Sequence, residues 1–353
     1  MEKNIILEVH DLEVKFKVRD RVLTAIRGIS MDFEEGKTVA IVGESGSGKS
    51  VFTKTFTGML EVNGEISKGS IIFEGQDLTK LKKDKQWEGI RGKKIATVFQ
   101  DPMTSLDPVK TIGSQISEVI IKHQGKSKEE AKQLAIELME RVGIYNAAQR
   151  YNEYPFQYSG GMRQRIVIAI ALACRPRILI CDEPTTALDV TIQAQIIALI
   201  KDLSKEYGFT TIYITHDLGV VANVADLVAV MYAGQIIEYG TVEEIFYSPR
   251  HPYTWGLLAS LPQLGTKGEE LYSIHGTPPS LFEEIKGDAF ALRSDYAMEI
   301  DFIEEPPMFQ ISPTHYAKTW LMDPRAPKVE PPKAIQNLHE RIKLMVNQGD
   351  NNE

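Results

Sequence analysis

Short apolar runs dominate the start of the chain. They predict strands at Ile5–Val9, Leu12–Val18, Val22–Ile26 and Ile29–Phe33, separated by polar turns. A further short run, Val39–Val42, is rich in β-branched residues and predicts a buried strand. The pattern therefore indicates an antiparallel β unit that leads into a larger sheet.

Residues 101–175 have helical spacing instead. In Ser127–Gly143, apolar side chains recur every three or four residues and a glycine marks the end of the predicted helix: Ala131, Leu134, Leu138 and Val142. Further on, Ala229–Tyr239 predicts a hairpin that turns at Ala233-Gly234. The chain thus combines strands and helices throughout its first 240 residues.

The character of the chain changes after Gly240. Residues 241–322 mix proline, aromatic residues and short apolar pieces, and Asp323–Pro332 is predicted to be extended. Ala334–Asn347 predicts a helix with one apolar face. We favour packing of this helix on its own domain over binding to a partner.

A phosphate-binding loop is predicted between the strand Val39–Val42 and the helix that begins near Val51. The loop fits the pattern G-x-x-x-x-G-K-S and consists of Gly43, Glu44, Ser45, Gly46, Ser47, Gly48, Lys49 and Ser50. Its backbone N–H groups and the N-terminus of the following helix can bind the negatively charged phosphate oxygens. Lys49 is expected to reach the β- and γ-phosphates, and Ser50 to ligate Mg²⁺.

Two further strand ends carry polar side chains. The apolar run from Arg177 ends in Asp182 and Glu183, and the run from Thr210 ends in His216. Open parallel sheets bind ligands at the carboxyl ends of their strands. We expect Asp182 to bind Mg²⁺, Glu183 to act as general base, and His216 to orient or donate to the γ-phosphate.

Composition narrows the class of protein. The 353 residues are 43% hydrophobic and 25% charged, as in a globular protein with one main domain and appendages. The net charge of −8 without a basic block argues against nucleic acid as a partner. No apolar run is long enough for a membrane span and no signal-peptide pattern is present, so a cytoplasmic chain is expected. Cys174 and Cys181 lie in apolar segments and are expected to be core thiols.

The order of these motifs resembles the ATPase subunits of ABC transporters over about residues 5–260. This resemblance implies that Gln100 links magnesium and the attacking water to a membrane subunit. It implies that Phe16 stacks on adenine and that Asp189 crosses a dimer interface. The signature turn, Ser159, Gly160 and Gly161, would bind the γ-phosphate of an ATP held by a partner ATPase.

The resemblance narrows to the D-type ATPase subunit of oligopeptide permeases from low-GC Gram-positive bacteria. The segments that carry it are Gln100–Pro108, Tyr158–Arg165, Tyr247–Tyr253 and Gly276–Ser280. It implies ATP and Mg²⁺ as cofactors and a head-to-tail heterodimer with the related F-type subunit. Two transmembrane permease subunits and an extracellular peptide-binding lipoprotein would complete the importer, with this chain peripheral on the cytoplasmic face of the cell membrane.

The chain departs from relatives at several positions. Tyr158 replaces a leucine and Met162 a glutamine of the common signature, and both changes are similar to the peptide-importer branch. Many D-type relatives carry four cysteines suited to an iron–sulfur cluster. The matching positions lack cysteine and are Asp288, Ser294, Asp301 and Thr319. We therefore expect no iron–sulfur cluster.

The predicted fold class is α/β: a P-loop NTPase core with an N-terminal antiparallel β subdomain, a helical signature subdomain and a C-terminal peptide-importer-type extension. The expected boundaries are residues 1–100 with 176–240, 101–175, and 241–353. The leading hypothesis is an ATPase that drives oligopeptide import. Two alternatives are a soluble ABC ATPase acting on ribosomes or DNA and a nucleotide-binding regulator that does not hydrolyse.

Overall fold

The computed structural model describes residues 4–186, 188–261, 274–333, 335 and 336. Its strands are β1 Ile5–Val18, β2 Arg21–Glu34, β3 Thr38–Val42, β4 Gly64–Phe73, β5 Gln76–Asp77, β6 Ile95–Val98, β7 Ile178–Asp182, β8 Thr210–Ile214, β9 Leu227–Tyr232, β10 Gln235–Thr241, β11 Phe309–Gln310 and β12 Tyr316–Ala317. Its α-helices are α1 Lys49–Lys54, α2 Asp84–Trp87, α3 Pro102–Ser105, α4 Ile112–Gln124, α5 Lys128–Arg141, α6 Ala147–Arg150, α7 Gly160–Leu172, α8 Val190–Tyr207, α9 Leu218–Val224, α10 Val242–Tyr247 and α11 Pro252–Ala259.

The N-terminal sheet is antiparallel, with strand order β2-β1-β4-β5. The four short strands predicted here were wrong in number, because two long strands replace them. The predicted turn at Arg19-Asp20 is confirmed and joins β1 to β2. The polar pairs His10-Asp11 and Arg27-Gly28 are instead irregularities within the strands. β1 shifts register between Val9 and Leu12, where Asp11 has φ 46°, and Gly28 within β2 has φ 72°. Such a local irregularity lets a strand continue past polar residues.

The second sheet has strand order β11-β12-β10-β9-β3-β8-β7-β6. Strands β9, β3, β8, β7 and β6 are parallel neighbours, and their side chains are buried almost throughout. Strands covered on both faces need such continuous apolar runs. The carboxyl ends of β3, β7 and β8 therefore meet at one edge, where the phosphate loop, Asp182 and His216 follow.

The predicted hairpin is confirmed. β9 and β10 pair antiparallel around Ala233, with φ 45°, and Gly234, with φ 79°. Positive φ at both central residues gives a turn whose twist matches that of the flanking strands.

Helices α3 to α7 form a layer against β6 and β7. The predicted helix in Ser127–Gly143 is α5, and a capping box at Ser127 and Glu130 fixes its start. α5 packs with α4 and α7 around a core that includes Ile116, Ala135 and Ile168. The signature turn thus begins a helix that is anchored in this core.

The segment after residue 241 packs on the main sheet. β12 pairs with β10 through Glu238 and Ala317, and β11 pairs with β12, so this region extends the sheet by two short strands. The helix predicted at Ala334–Asn347 lies almost wholly outside the described residues. The domain boundaries given above stay predictions. None of the helices described here is long and apolar enough to cross a membrane.

Candidate nucleotide-binding and hydrolysis site

The phosphate loop connects β3 to α1, as predicted. α1 begins at Lys49, earlier than the predicted Val51, and Gly48 precedes it with φ 102°. The Lys49 Nζ donates to the carbonyl oxygens of Gly43 (2.8 Å) and Glu44 (2.9 Å). The lysine therefore lies within the curl of the loop, where it can reach a bound phosphate chain.

Gly43 shows why the loop needs glycine at its start. Its φ is 149°, and a Cβ there would lie 2.1 Å from the carbonyl oxygen of Met231. Any side chain would therefore force the loop away from β9. Further along the same loop, the Ser47 Oγ is buried and has no hydrogen-bond partner among the described residues.

Ser50 and Asp182 meet across the sheet edge, as a magnesium site requires. The Ser50 hydroxyl donates to Asp182 Oδ1 at 3.0 Å. Burial raises the pKa of Asp182, the Ser50 hydrogen bond opposes that rise, and the Glu183 carboxylate adds to it. A divalent cation would relieve the buried negative charge, so this oxygen pair fits Mg²⁺.

The three residues predicted to be catalytic converge on one carboxylate. Glu183 Oε2 accepts from Gln100 Nε2 at 2.9 Å, and Glu183 Oε1 lies 3.1 Å from His216 Nδ1. The Thr186 hydroxyl also donates to Oε2, at 3.1 Å. Sequence reasoning missed Thr186, although its position three residues after Glu183 in the same loop was a usable signal. The arrangement holds the Glu183 carboxylate beside the phosphate loop, and its role as general base stays a prediction.

Lys49 lies in the field of these acids. Burial lowers the pKa of Lys49, and the carboxylates of Glu183, Asp182 and Glu44 oppose that effect. These three carboxylates thus help to keep the ammonium charged close to the phosphate position.

Phe16 lines a cavity with a volume of about 590 Å³. The same cavity is lined by the apolar side chains of Val18, Leu23 and Leu281 and by the charged side chains of Lys49, Asp182 and Glu183. The ring of Phe16 packs closely on Gly64. Apolar and charged side chains in one cavity suit a base and a phosphate chain. The adenine role of Phe16 stays a prediction.

The signature turn lies apart from that cavity. Ser159 caps α7 by accepting from the Met162 N–H, and Ser159 and Gly160 are exposed. The described residues that line the phosphate cavity include neither Ser159 nor Gly161, which line a separate hollow. Asp189 is also exposed and caps α8 by accepting from the Ile192 N–H at 3.1 Å. One chain therefore presents the phosphate loop and the signature turn at different places.

Tyr158 and Arg163 brace the signature turn. The buried Tyr158 donates its hydroxyl to the Arg150 carbonyl at 3.0 Å. Arg163 Nε donates to the carbonyls of Pro155 and Tyr158, both at 2.9 Å. Tyr158 thus has a packing role in the core of the helical layer, and Met162 packs partly buried against the same core.

The four positions matched to cysteines in relatives come together in space. Asp288, Ser294, Asp301 and Thr319 line one small cavity beside Pro252. No group of three or more His, Cys, Asp or Glu side chains in the described part of the chain is arranged to hold a metal ion. Neither cysteine is near these positions in sequence, and the expectation of no cluster stays a prediction.

Comparison with known proteins identifies two regions. Residues 26–186 match the ABC transporter family, and residues 237–300 match the C-terminal region of oligopeptide and dipeptide transporters. The chain is 71% identical over 342 residues to the oligopeptide transport ATP-binding protein AmiE of Streptococcus pneumoniae, covering 97% of this chain and 96% of that protein. It is 59% identical over 333 residues to the oligopeptide transport ATP-binding protein OppD of Bacillus subtilis, covering 94% of this chain and 93% of that protein.

Solved structures support the same fold. The dimeric ATP-binding cassette MJ0796, in a post-hydrolysis state bound to ADP and Pi, matches with a TM-score of 0.60 and 28% identity, over 67% of this chain and 98% of that chain. The predicted fold class is confirmed, and the functions of the relatives give no support to either alternative. The chain belongs to the family of ATP-binding, ATP-hydrolysing subunits of ABC-type oligopeptide transporters.

Proposed function

We propose that this chain hydrolyses ATP at a composite site formed with a second, F-type ATPase subunit. The observation that carries the proposal is the separation of the signature turn from the phosphate cavity. Ser159 and Gly160 are exposed at the start of α7, while Lys49 and Glu183 line a cavity elsewhere. Two chains that meet head to tail would bring each signature turn to the other's phosphate loop.

In the proposed reaction, Glu183 accepts a proton from water as the water oxygen bonds to the γ-phosphorus. The bond from that phosphorus to the bridging oxygen breaks, and ADP and phosphate leave. Gln100, His216 and Thr186 hold the Glu183 carboxylate in place through contacts of 2.9 to 3.1 Å. Ser50 and Asp182, with Gln100, would hold Mg²⁺, which neutralises charge on the phosphates.

An exposed apolar patch beside Gln100 supports docking to the permease subunits. The patch consists of Phe99, Met103, Tyr154 and Phe156; Phe156 is 74% and Met103 62% exposed. Tyr154 and Phe156 stack at 5.9 Å between ring centroids, and the Arg163 guanidinium contacts Met103. Exposed apolar patches of this kind mark protein interfaces. Through this patch, the chain would attach to the cytoplasmic face of the membrane and move with the peptide importer, whose extracellular lipoprotein supplies peptide.

The experiment that tests the base is Glu183→Gln in the assembled transporter. The variant keeps the size of the side chain but cannot take the proton, so ATP binding should persist while phosphate release falls at least about 100-fold. Binding is measured with a fluorescent ATP analogue and turnover by phosphate release.

The matched control is Glu129→Gln, an exposed glutamate in the first turn of α5. It should leave both quantities unchanged. Turnover that survives in Glu183→Gln at the level of the control would reject Glu183 as the base.

A further inference from the structure

The C-terminal segment after residue 274 reaches the nucleotide cavity of its own chain. Leu281 lines the cavity together with three other apolar residues, Phe16, Val18 and Leu23. Those three residues come from β1 and β2, so Leu281 supplies a wall from a distant part of the sequence. Its side chain is half-buried and also packs on a core that the C-terminal segment shares with β3 and β9.

Two contacts fix Leu281 in that place. The Thr24 N–H donates to the Leu281 carbonyl at 3.0 Å, which ties the backbone to β2. The Arg21 guanidinium lies 4.5 Å from the centroid of the Phe282 ring. A cation at that distance from an aromatic face is attracted to it. The Leu281 carbonyl and the Phe282 ring are thus both in contact with β2, which borders the cavity.

The same C-terminal region also grips the phosphate loop. Arg293 forms a two-pronged ion pair with Glu44, with Nη atoms 2.9 and 3.1 Å from the carboxylate oxygens. The Glu44 N–H donates to the Tyr253 hydroxyl at 2.8 Å. Because the Glu44 carbonyl accepts from Lys49, these contacts fix the residue against which Lys49 rests. Two parallel hydrogen bonds between an arginine and a carboxylate fix the orientation of the carboxylate and also strengthen the ion pair.

An aromatic cluster surrounds Arg293 and supports its ion pair with Glu44. The side chain of Arg293 is 6% exposed and also donates to the Tyr232 hydroxyl at 3.2 Å. The Phe290 ring packs edge-on against Tyr232 and Tyr253, with centroids 5.4 Å apart in both pairs. Packed aromatic rings have little freedom to move, so a displacement of this region would shift Glu44 with it.

We propose that the C-terminal extension is a built part of the ATP site of its own chain. Leu281 contacts the base and ribose, and Arg293 is a positioning residue that holds the phosphate loop through Glu44. The inference rests on the nucleotide site proposed above and adds residues that no local motif contains. It also gives the extension a direct route by which a change in its packing alters ATP binding.

The test measures binding of a fluorescent ATP analogue to the full chain, with ATP and inorganic triphosphate as competitors. Leu281→Ala should weaken ATP binding about 3- to 10-fold, since an apolar contact to the base is lost, and should leave triphosphate binding unchanged. Arg293→Ala should weaken the binding of both ATP and triphosphate. Arg293→Lys should bind with an affinity between those of Arg293→Ala and the unchanged chain, because lysine keeps the charge but makes no two-pronged pair. Arg293→Ala and Glu44→Ala should be non-additive when combined, as for residues that act through each other.

Leu292→Ala is the matched control, because Leu292 is 86% exposed in the same region. Lys49→Ala tests the site itself. The inference is overturned if Lys49→Ala abolishes ATP binding while Leu281→Ala binds ATP as tightly as Leu292→Ala, and the effects of Arg293→Ala and Glu44→Ala on binding simply add. If Lys49→Ala binds normally, the proposed site is wrong instead.

Discussion

At the scale of single residues, Glu183 is held by its backbone as well as by its side chain. Its φ of 47° lies in the left-handed region, and its N–H donates to the Ile214 carbonyl at 3.0 Å. Such a conformation costs about 1–3 kcal/mol in a residue other than glycine, and the surrounding structure must enforce it. This backbone conformation places the carboxylate between Gln100 and His216.

Site residues that are close in sequence were predictable, and those that are distant were not. The phosphate loop and the pair Asp182 and Glu183 are contiguous, so strand, turn and residue type together identify them. Arg293 lies 249 residues from Glu44, and no periodicity links them. Leu281 is likewise an ordinary leucine until the fold brings it to β2.

Asp288 provides a prediction about pH. Burial raises the pKa of Asp288 from 3.8 to about 6, with a smaller opposing effect from the Phe290 N–H. The folded chain therefore binds this proton more tightly than the unfolded chain. Its contribution to stability is complete below about pH 4 and is lost as the pH rises through about 6.

Asp288→Asn keeps an oxygen that can accept from the Phe290 N–H but removes the titration. We expect the fall in the free energy of unfolding between about pH 4 and pH 7 to shrink by at most about 3 kcal/mol. Denaturant unfolding at several pH values measures it. Asp295→Asn, at an exposed neighbour, is the control; equal pH dependence in Asp288→Asn and the control would contradict the prediction.

At the scale of elements, the loop between α6 and α7 and the short helix α3 form one surface. Arg163 joins them, since it contacts Met103 and donates to the carbonyls of Pro155 and Tyr158. The exposed rings of Tyr154 and Phe156 lie on this surface. Gln100 lies two residues before the start of α3 and donates to the Glu183 carboxylate, so movement of a docked permease would reach that carboxylate through Gln100.

Phe156→Ser should weaken assembly with the permease subunits, because it removes the most exposed ring of the patch. We expect co-purification with the permease subunits to fall severalfold while nucleotide binding by the separate chain is retained. Ile303→Ser is the control, since Ile303 is 65% exposed on the C-terminal extension. Normal assembly of Phe156→Ser would remove the patch as the docking surface.

Elements with a strong local pattern were predicted well. The helix α5 has apolar spacing, a capping box and a terminal glycine, and the hairpin of β9 and β10 has an Ala-Gly turn. The N-terminal strands were predicted in pieces because a bulge and a turn use the same polar residues. The strands β11 and β12 were not predicted, since two-residue strands have no periodicity and depend on pairing with β10.

At the scale of the whole molecule, the phosphate loop and the signature turn line different hollows of the chain, as the proposed composite site requires. The phosphate cavity is walled by β1, β2, the phosphate loop and the C-terminal extension, and the exposed signature turn opens α7 elsewhere. Closure of two such chains would assemble both sites together, and hydrolysis would release them. Such closure commonly drives coupled movement in ATP-using machines.

The most direct test combines the Lys49→Ala variant of this chain with an ATP analogue that carries a photoreactive group on its γ-phosphate. The variant loses its own phosphate contact but keeps Ser159, Gly160 and Gly161. With the partner ATPase present, we expect the probe to label the segment Tyr158–Arg163 of the variant, and omission of the partner should abolish that labelling. Labelling that is lost in Lys49→Ala despite the partner, or that persists without it, would contradict the composite site.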